Sequence, residues 1–289
     1  MFNFVYNPIA GKGKAQRFRV SIEEQLKALG LAYTFLETKS RNDAKRLARE
    51  LTERGETDIV AMGGDGTVNE VLNGLVDPSK VNLGIIPCGS GNDFAAIIDI
   101  PSTPDGALEV LLKAAPKPTD YLECSGIRGL NVIGAGIDVE ILKRSYRAKV
   151  LKGSLNYAVS LLSALINYQS YRFTADYNDQ HGDHAGLIIC ACNGRRIGGG
   201  IGICPRAIVD DGHLDVVLVE GLKKTMLPKA LVSLVRGKIL DEPFATHCLS
   251  QELKVVFAEP TTVQVDGELY DDLPFDVRLI SNALKIYRY

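Results

Sequence analysis

Three glycine-rich segments, each directly after a strand-like apolar run, constrain the fold of this chain more than any other feature. They read NPIAGKGKA at 7–15, GGDGTVNEV at 63–71 and PCGSGNDFA at 87–95. Helix-like stretches alternate with the strand-like runs, which is typical of a parallel sheet joined by right-handed crossovers. Because ligands of open parallel sheets bind beyond the carboxyl ends of the strands, we expect the three segments to meet at one site.

The apolar pattern predicts a regular series of elements in roughly the first hundred residues. Strands are expected at 2–6, 33–36, 58–62 and 83–86, and helices at 15–29, 40–54, 67–75 and from Asn92 onward. Ser40 with Asp43 resembles a capping box at the second helix, and Thr67 with Glu70 has the T-x-x-E form of one at the third. The N-terminal half is therefore predicted to be an α/β sandwich of three layers.

After Pro116 and Pro118 the pattern changes to strand-like runs separated by short turns. The runs lie at 131–133, 171–177, 187–192, 214–220, 253–257, 262–265, 275–280 and 284–287, with helical stretches at 151–168 and 225–235. Asp-Gly pairs at 211–212 and 266–267 are turn signals that favour antiparallel hairpins. We expect an α/β domain over 1–119 and a mainly antiparallel β-sandwich over 120–289, whose last strand could return to the first domain.

The composition narrows the class of protein. Lys and Arg number 33 against 35 Asp and Glu, a net charge of −2, which argues against a nucleic-acid partner. The six cysteines show no C-x-x-C spacing, and with no secretory signal visible we expect buried thiols in a reducing cytosol.

The most apolar stretch, 155–168, is too short to span a bilayer. It is interpreted as a helix on the second sheet, or alternatively as a wall for an apolar substrate or a membrane-facing patch.

The glycines themselves point to a phosphate ligand. Without a Cβ atom the backbone N–H groups of a loop can approach an anion closely, and a helix N-terminus adds a positive dipole end. Lys12 and Lys14 add positive charge nearby. Neither G-x-x-x-x-G-K-[ST] nor a complete G-x-G-x-x-G is present, which excludes a P-loop and a standard dinucleotide fold.

N-P-x-x-G, G-G-D-G-T-x-N-E and G-S-G-N-D-F, followed by V-D-G-E at 265–268, together resemble the diacylglycerol kinase catalytic family. This family includes soluble bacterial lipid kinases, sphingosine kinases and ceramide kinases, and the resemblance covers essentially the whole chain. It implies an ATP-dependent kinase with an N-terminal domain similar to those of NAD kinase and phosphofructokinase, a C-terminal β-sandwich and an active site in the cleft between them. The implied acceptor is a lipid alcohol: diacylglycerol, a sphingoid base, ceramide, an isoprenoid alcohol or phosphatidylglycerol.

The resemblance also implies the site residues. ATP is expected to contact Asn7, Pro8, Ile9, Ala10, Gly11, Thr38, Gly63, Gly64, Asp65, Gly66, Thr67, Val68, Asn69, Glu70 and Ser90. Asp65 is also expected to be catalytic by holding Mg²⁺ directly or through water, because a bare carboxylate would repel phosphate. Asp266 is the expected general base for the lipid hydroxyl, with Glu268 in support, although an Asp-Gly pair also commonly shapes only a turn.

The acidic segment RAIVDDGHLDVV at 206–217 resembles a structural Mg²⁺ site of soluble bacterial members of the family. The carry-over gives the Asp211 carboxylate and the carbonyls of Ile208 and His213 as ligands, with Asp210 and Asp215 as alternatives. The residues alone are equally compatible with a turn before a strand. The four histidines show no metal-binding spacing.

Two alternative functions share the glycine loops. NAD kinase also carries G-G-D-G-T, but its Asn- and Thr-rich dinucleotide signatures have no convincing match here. A non-catalytic nucleotide-binding regulator would keep the loops without turnover. For the lipid kinase, with no predicted spanning segment, we expect only transient contact with a membrane surface. The sequence carries no signal of oligomeric state.

Overall fold

The computed structural model describes residues 1–147 and 170–289. The chain divides into two compact units, of which the first comprises Met1–Asp120 with Asn282–Tyr289 and the second Tyr121–Ser281. The predicted helical stretch at 151–168 lies outside the described residues.

The first unit is built on a parallel sheet. Its strands are β1 (Phe2–Tyr6), β2 (Tyr33–Glu37), β3 (Asp58–Gly63) and β4 (Asn82–Pro87), joined by the end of the last strand of the chain, β17 (Phe275–Tyr287). They pair in parallel in the order β2–β1–β3–β4–β17. β1, β3 and β4 are almost continuously buried apolar runs, as expected for a parallel sheet covered on both faces.

Five helices accompany this sheet, and four of them form two packed pairs. The five are α1 (Ala10–Ala28), α2 (Asp43–Glu53), α3 (Asp65–Gly74), α4 (Asp93–Ile97) and α5 (Pro104–Lys113). α1 packs on α5 and α2 packs on α3, and right-handed crossovers place the two pairs on opposite faces. A Cβ atom at Gly74 would overlap the carbonyl oxygen of Lys45, so α2 and α3 touch backbone to backbone. The predicted three-layer α/β sandwich is therefore confirmed.

The second unit is antiparallel. β5 (Pro116–Cys124) leads into it, followed by β6 (Ile127–Gly129), β7 (Val132–Gly136), β8 (Tyr171–Tyr177), β9 (Gln180–Cys192), β10 (Arg196–Ile197), β11 (Ile201–Gly202), β12 (Leu214–Glu220), β13 (Ala245–Ser250), β14 (Glu252–Phe257), β15 (Val263–Val265) and β16 (Glu268–Tyr270). The first half of β9 pairs with β8, and its second half pairs with β7 on one side and β12 on the other. The buried side chains between these strands form the core of the predicted β-sandwich.

Two helices of the second unit cover a separate apolar cluster. They are α6 (Ile137–Arg147) and α7 (Leu227–Val235), with short 3₁₀ turns at Lys224–Met226 and Ile239–Asp241 beside α7 and a further one at Pro78–Lys80 in the first unit. Ile137 and Ile141 of α6 and Leu227 and Ala230 of α7 pack with residues of β9 and β12.

Several elements differ from the prediction. α5, α6, β5 and β13 were not anticipated, and the runs at 275–280 and 284–287 form one strand. Asn282 interrupts the apolar pattern of that strand with a positive φ of 51°, yet its N–H donates to the Asp120 carboxylate at 2.7 Å, which keeps the strand continuous. Pro116 and Pro118 lie in β5, at the start of a strand where a missing N–H is tolerated.

Candidate nucleotide-binding and catalytic site

The first glycine-rich loop begins at Asn7, where β1 ends. The N–H of Asn7 donates to the carbonyl of Met62 at 3.0 Å, and its side-chain oxygen accepts the N–H of Ile9 at 3.2 Å. Gly11, Lys12 and Gly13 then all take the left-handed conformation, with φ between 57° and 81°. Because this conformation strongly favours glycine, the sequence GKG produces a sharp bend before the regular part of α1.

This loop lies directly against the third. A Cβ atom at Gly11 would overlap the carbonyl oxygen of Cys88, so no larger residue fits there. Lys14 also joins the two loops, since its ammonium group donates to the carbonyl of Pro87 at 3.5 Å; it donates in addition to the carbonyl of Ser102 at 3.1 Å and lies 4.8 Å from the centre of the Phe18 ring. Lys14 is thus fixed in place rather than mobile, whereas Lys12 is exposed.

The second and third loops also meet. A Cβ atom at Gly89 would lie 2.5 Å from the Cα of Gly64, which is closer than any real contact of that kind. The N–H of Thr38, at the end of β2, donates to the carbonyl of Tyr6 at 2.9 Å, so Thr38 lies at the same edge of the sheet. The prediction that the three loops converge at the carboxyl ends of the strands is confirmed.

Asp65 holds the second loop to the third. Its carboxylate accepts the N–H of Asn92 at 2.7 Å and is also bonded by the N–H groups of Asp93 and Phe94 at the start of α4. Burial raises the pKa of Asp65 above its usual value, and these N–H bonds oppose the shift. The carboxylate is not bare, so the argument that its charge requires a cation does not hold. The assignment of Asp65 to Mg²⁺ and to catalysis stays a prediction.

Asn92 closes the third loop and was missed by the sequence analysis. Its side-chain oxygen accepts the N–H of Gly89 at 2.8 Å, its amide donates to the carbonyl of Gly89 at 2.9 Å, and its φ is 55°. Asn tolerates the left-handed conformation, which was the available signal in G-S-G-N-D-F. Ser90 lies at the exposed tip of the loop that Asn92 closes.

The two predicted capping boxes are wrong. α3 begins at Asp65 and no side-chain hydrogen bond caps it, while Thr67 packs on Gly63 inside the first turn. Glu70 instead reaches the start of α2, where its carboxylate accepts the N–H of Asn42 at 2.9 Å and that of Ala44 at 3.2 Å. Ser40 lies before α2 and provides no side-chain cap for it. Acidic side chains of α3 thus accept N–H groups at the start of other helices: Glu70 at α2 and Asp65 at α4.

The remaining predicted nucleotide contacts differ in exposure. Ile9 is exposed, and partial exposure is shared by Asn7, Pro8, Ala10, Gly11, Thr38, Gly64 and Gly66. The side chains of Val68 and Asn69 are buried within α3. Gly63 is the last residue of β3 and is also buried. A ligand at this edge would therefore meet mainly backbone, as expected for a phosphate cradle.

In the second unit, Asp266 opens a two-residue turn between β15 and β16. Asp266 and Gly267 have φ values of 49° and 88°, which confirms the hairpin predicted from the Asp-Gly pair. The Asp266 carboxylate accepts the N–H groups of Leu130, Asn131 and Val132 at 2.7, 2.9 and 3.0 Å. These bonds hold the carboxylate in one orientation. Glu268 is the first residue of β16 and is partly buried.

A second carboxyl group lies near this hairpin and was missed by the sequence analysis. Asp138, in the first turn of α6, is buried, and burial raises its pKa to about 7. A Cβ atom at Gly134 would lie 2.7 Å from its Oδ2 and 3.2 Å from the amide nitrogen of Gln264. The side-chain oxygen of Gln264 in turn accepts the N–H of Gly267 at 2.9 Å. Gln264 therefore lies next to Asp138 and also bonds the turn that carries Asp266.

The predicted metal loop is compact. The Asp211 carboxylate accepts the N–H of His213 at 3.0 Å, Gly212 has a φ of 76°, and Ile208 is exposed. Carboxylate and carbonyl oxygens on such a turn suit a hard cation such as Mg²⁺. Asp215 does not join this group, because it is buried in β12 and its Oδ1 lies 2.6 Å from Nε2 of His247.

Comparison with known proteins matches both units. Residues 1–124 match the sequence model of the diacylglycerol kinase catalytic domain, and residues 131–288 match that of the YegS C-terminal NAD kinase beta sandwich-like domain. The chain belongs to the diacylglycerol kinase catalytic family. It is therefore a member of a lipid kinase family and an enzyme of the kinase class, as the resemblance implied.

Individual relatives of the family extend over most of the chain. A protein named "probable lipid kinase YegS-like" from Xanthomonas campestris pv. campestris strain 8004 is 31% identical over 276 residues, 91% of this chain and 88% of the relative. A protein named diacylglycerol kinase from Staphylococcus haemolyticus is 26% identical over 275 residues, 93% of this chain and 82% of the relative.

Solved structures of the family share the fold. A crystal structure of a diacylglycerol kinase from Bacillus anthracis strain Sterne superimposes with a TM-score of 0.77 at 23% identity, covering 100% of this chain and 96% of that one. In residues 1–147 and 170–289, no helix is both long enough and apolar enough to cross a bilayer.

Proposed function

We propose that this protein transfers the γ-phosphoryl group of ATP to the hydroxyl group of a lipid such as diacylglycerol. One observation carries the proposal: three glycine-rich loops meet at the carboxyl edge of one parallel sheet, in contacts that leave no room for a Cβ atom at Gly11 or Gly89. Such a surface presents backbone N–H groups to an anion at close range. The α3 N-terminus, which has no side-chain hydrogen bond to cap it, adds its positive dipole end.

Phosphoryl transfer would proceed with Asp266 as general base. The lipid oxygen forms a bond to the γ-phosphorus, the bond from phosphorus to the β,γ-bridging oxygen breaks with its electron pair leaving on ADP, and the hydroxyl proton passes to the Asp266 carboxylate. The three N–H bonds to this carboxylate support the role because a base must be held in a fixed orientation. Glu268, at the start of β16, is the proposed supporting residue.

Mg²⁺ is the cation that the family implies. The Asp211 carboxylate with the carbonyls of Ile208 and His213 would hold one ion in the acidic loop, where it would fix the loop conformation. Mg²⁺ bound with ATP neutralises charge on the phosphates. If Asp65 bound Mg²⁺, its carboxylate would do so while also accepting the N–H of Asn92 at the start of α4.

The proposal is tested by incubating the purified protein with γ-³²P-ATP and Mg²⁺ against a panel of purified lipid alcohols and total lipid extracts. We expect a labelled phospholipid, with the label retained in an organic-phase extract. Labelled NADP from ATP and NAD, with no lipid product, would instead identify the NAD kinase-like alternative. ATP binding without any labelled product would identify the non-catalytic regulator.

The base assignment needs a matched control, because Asp266 also bonds three backbone N–H groups. Asp266→Asn should abolish turnover while ATP binding is retained. Asp179→Asn changes an exposed aspartate in a comparable turn between β8 and β9, where φ is 57°, and should leave turnover unchanged. If the thermal midpoint of Asp266→Asn falls and activity returns at low temperature, Asp266 serves only the turn.

We also propose a peripheral membrane position in the cytoplasm, through a surface that we name the basic helix segment, residues 223–238. It carries the cations Lys223, Lys224, Lys229, Arg236 and Lys238, and no acidic residue occurs from 221 to 240. Lys229 pairs with Glu242 at 2.5 Å, whereas the other four form no ion pair within the described part of the chain.

The basic helix segment also exposes apolar side chains: Met226, Val232 and Val235 are 37%, 48% and 57% exposed. Exposed apolar side chains among cations match an anionic bilayer surface.

Vesicle sedimentation tests this surface. The protein should bind vesicles rich in phosphatidylglycerol more tightly than pure phosphatidylcholine vesicles. High salt should reduce this preference, because it screens the attraction to the anionic lipid. Val235→Glu should weaken this binding several-fold. Val256→Glu, at a valine of β14 that is equally 57% exposed, is the matched control and should not. If both variants lose vesicle binding to the same extent, the basic helix segment is not the membrane-binding surface.

A further inference from the structure

Three side chains of different chemistry converge inside the second unit; none is an ATP contact implied by the resemblance, and Asp215 among them does not join the acidic loop. They are Cys204, which follows β11, Asp215 of β12 and His247 of β13. One ligand atom from each lies within 4.8 Å of the other two. Cys204 and Asp215 are buried, and the His247 side chain is 17% exposed. We name this group the Cys-Asp-His cluster.

The sheet register explains the convergence. Asp215 pairs directly with Cys192 of β9, and the neighbouring Val217 pairs directly with both Cys190 and His247. Side chains that are directly opposite, or two apart along a strand, share a face. Cys204 packs onto this face, where its thiol and that of Cys192 are hydrogen-bonded. A fourth donor, the sulfur of Cys192, therefore lies next to the cluster.

We propose that the Cys-Asp-His cluster is a zinc site. A thiolate, an imidazole nitrogen and a carboxylate oxygen are the donors that Zn²⁺ takes in proteins, whereas a thiolate is unsuited to Mg²⁺. A buried carboxylate beside a largely buried histidine is also what a cation would stabilise. The site is distinct from the acidic loop at 208–213, for which the resemblance implies only oxygen ligands.

The geometry favours a metal over a proton relay. In a Cys-His-Asp relay, the thiol and the carboxylate bond to opposite nitrogens of the imidazole ring, which places them on opposite sides of it. Here the sulfur and a carboxylate oxygen lie within 4.8 Å of each other, too close for an imidazole ring to separate them. The mutual closeness of the three donors is instead what binding to one ion requires.

Binding would release protons. The Cys204 thiol loses its proton to solvent when its sulfur binds the metal, and the proton that Nε2 of His247 shares with Asp215 moves to Nδ1 or to solvent. No oxidant or reductant is needed, since Zn²⁺ undergoes no redox change. The partly exposed edge of His247 provides the path by which the ion enters.

A metal here would also organise the neighbouring acidic loop. Cys204 and Asp215 stand at the two ends of the segment 205–214, which contains Asp210 and Asp211. Zinc would tie both ends of this segment to β13. We therefore expect hydrogen exchange over 205–214 to slow when zinc is added to metal-free protein.

The test uses the full-length protein, stripped with a chelator and titrated with Co²⁺ as a spectroscopic substitute for Zn²⁺. A tetrahedral site with a thiolate gives a near-ultraviolet sulfur-to-cobalt charge-transfer band together with visible ligand-field bands. We expect these bands to saturate at about one Co²⁺ per chain and to disappear on addition of Zn²⁺. Absence of the charge-transfer band from the wild-type protein overturns the proposal. Neither ATP nor lipid is present, so the result is independent of the kinase assay.

Variants locate the site. Cys204→Ser and His247→Gln should both lose the charge-transfer band. His181→Gln should keep it, because His181 forms a comparable histidine–aspartate pair with Asp176 on an exposed hairpin. Persistence of the band in Cys204→Ser contradicts the assignment. Since a substitution at a buried residue can unfold a protein, zinc in the wild-type protein is also measured by mass spectrometry. A zinc content no higher than the buffer background, after growth in zinc-supplemented medium, contradicts it as well.

Discussion

The backbone of Gly11 lies so close to the carbonyl oxygen of Cys88 that a Cβ atom at Gly11 would overlap that oxygen. This contact joins the first and third glycine-rich loops, and Gly11 in addition has a left-handed φ of 58°. Both facts make the position specific for glycine, and both bear on how the loops could hold a phosphate.

Gly11→Ala should therefore push the first and third loops apart. We expect ATP affinity, measured by isothermal titration calorimetry, to fall at least about tenfold, which corresponds to roughly 1.4 kcal/mol. Gly30→Ala is the matched control, because Gly30 has a φ of 64° but no heavy atom within 4 Å of a Cβ. It should cost only the left-handed strain of about 1 kcal/mol in unfolding free energy and leave ATP affinity unchanged. Equal ATP affinities for the two variants would show that the loop contact is unimportant.

Asn92→Gly tests whether the third loop is preorganised. Glycine keeps the φ of 55° but removes both hydrogen bonds from the side chain to Gly89. We expect the dissociation constant for ATP to rise about tenfold, since two hydrogen bonds of roughly 1 kcal/mol each no longer hold the loop closed. Asn178→Gly, at another left-handed asparagine with a φ of 50°, should have no such effect. An unchanged dissociation constant for Asn92→Gly would mean that this closure does not serve the nucleotide.

Glu70→Ala should act on α2. The carboxylate accepts two N–H groups at the start of that helix, so its loss should lower the unfolding free energy by about 1 kcal/mol, as for a lost N-cap. Urea unfolding followed by circular dichroism measures this change. Glu53→Ala, at the exposed end of α2, should be nearly neutral. If Glu70→Ala instead weakens ATP binding with no loss of stability, the family-derived contact to the nucleotide is the correct role.

Asp138 predicts a pH dependence of stability. Its pKa is about 7 in the folded protein against 3.8 for a free aspartate, so the unfolded chain releases the proton first as pH rises. Stability should fall from about pH 4 and level off above about pH 7, by up to roughly 4 kcal/mol. Asp138→Asn should flatten this part of the pH profile, whereas Asp99→Asn, at an exposed aspartate, should not. Parallel profiles for wild type and Asp138→Asn in urea unfolding between pH 4 and 8 would exclude the role.

Local patterns in the sequence predicted much of the fold. The strands at 171–177 and 214–220 have the predicted bounds, and the convergence of the glycine loops followed from parallel topology alone. The fold class is confirmed, because apolar periodicity and turn residues report on layers and pairing. Asn282 shows where such patterns fail. The polar residue suggested two separate strands, at 275–280 and 284–287, whereas its N–H bonds to Asp120 and the strand runs on through it.

The partners of the polar side chains could not be predicted in the same way. Glu70 caps a helix 26 residues before it, and Asp65 bonds an N–H group 27 residues after it. Cys204, Asp215 and His247 have no motif spacing, because strand register rather than chain proximity brings them together. Each of these contacts depends on how elements pack, and sequence periodicity carries no information about that.

The parallel pairing of β17 with β4 has a consequence for the order in which the molecule forms. The first unit takes Asn282–Tyr289 as part of itself, and these residues are synthesised only after the whole of the second unit, Tyr121–Ser281. Until they emerge, the edge of β4 is an unpaired template for other strands, although everything else in that unit has long been synthesised. The second unit must therefore be synthesised before the nascent first unit can close its sheet.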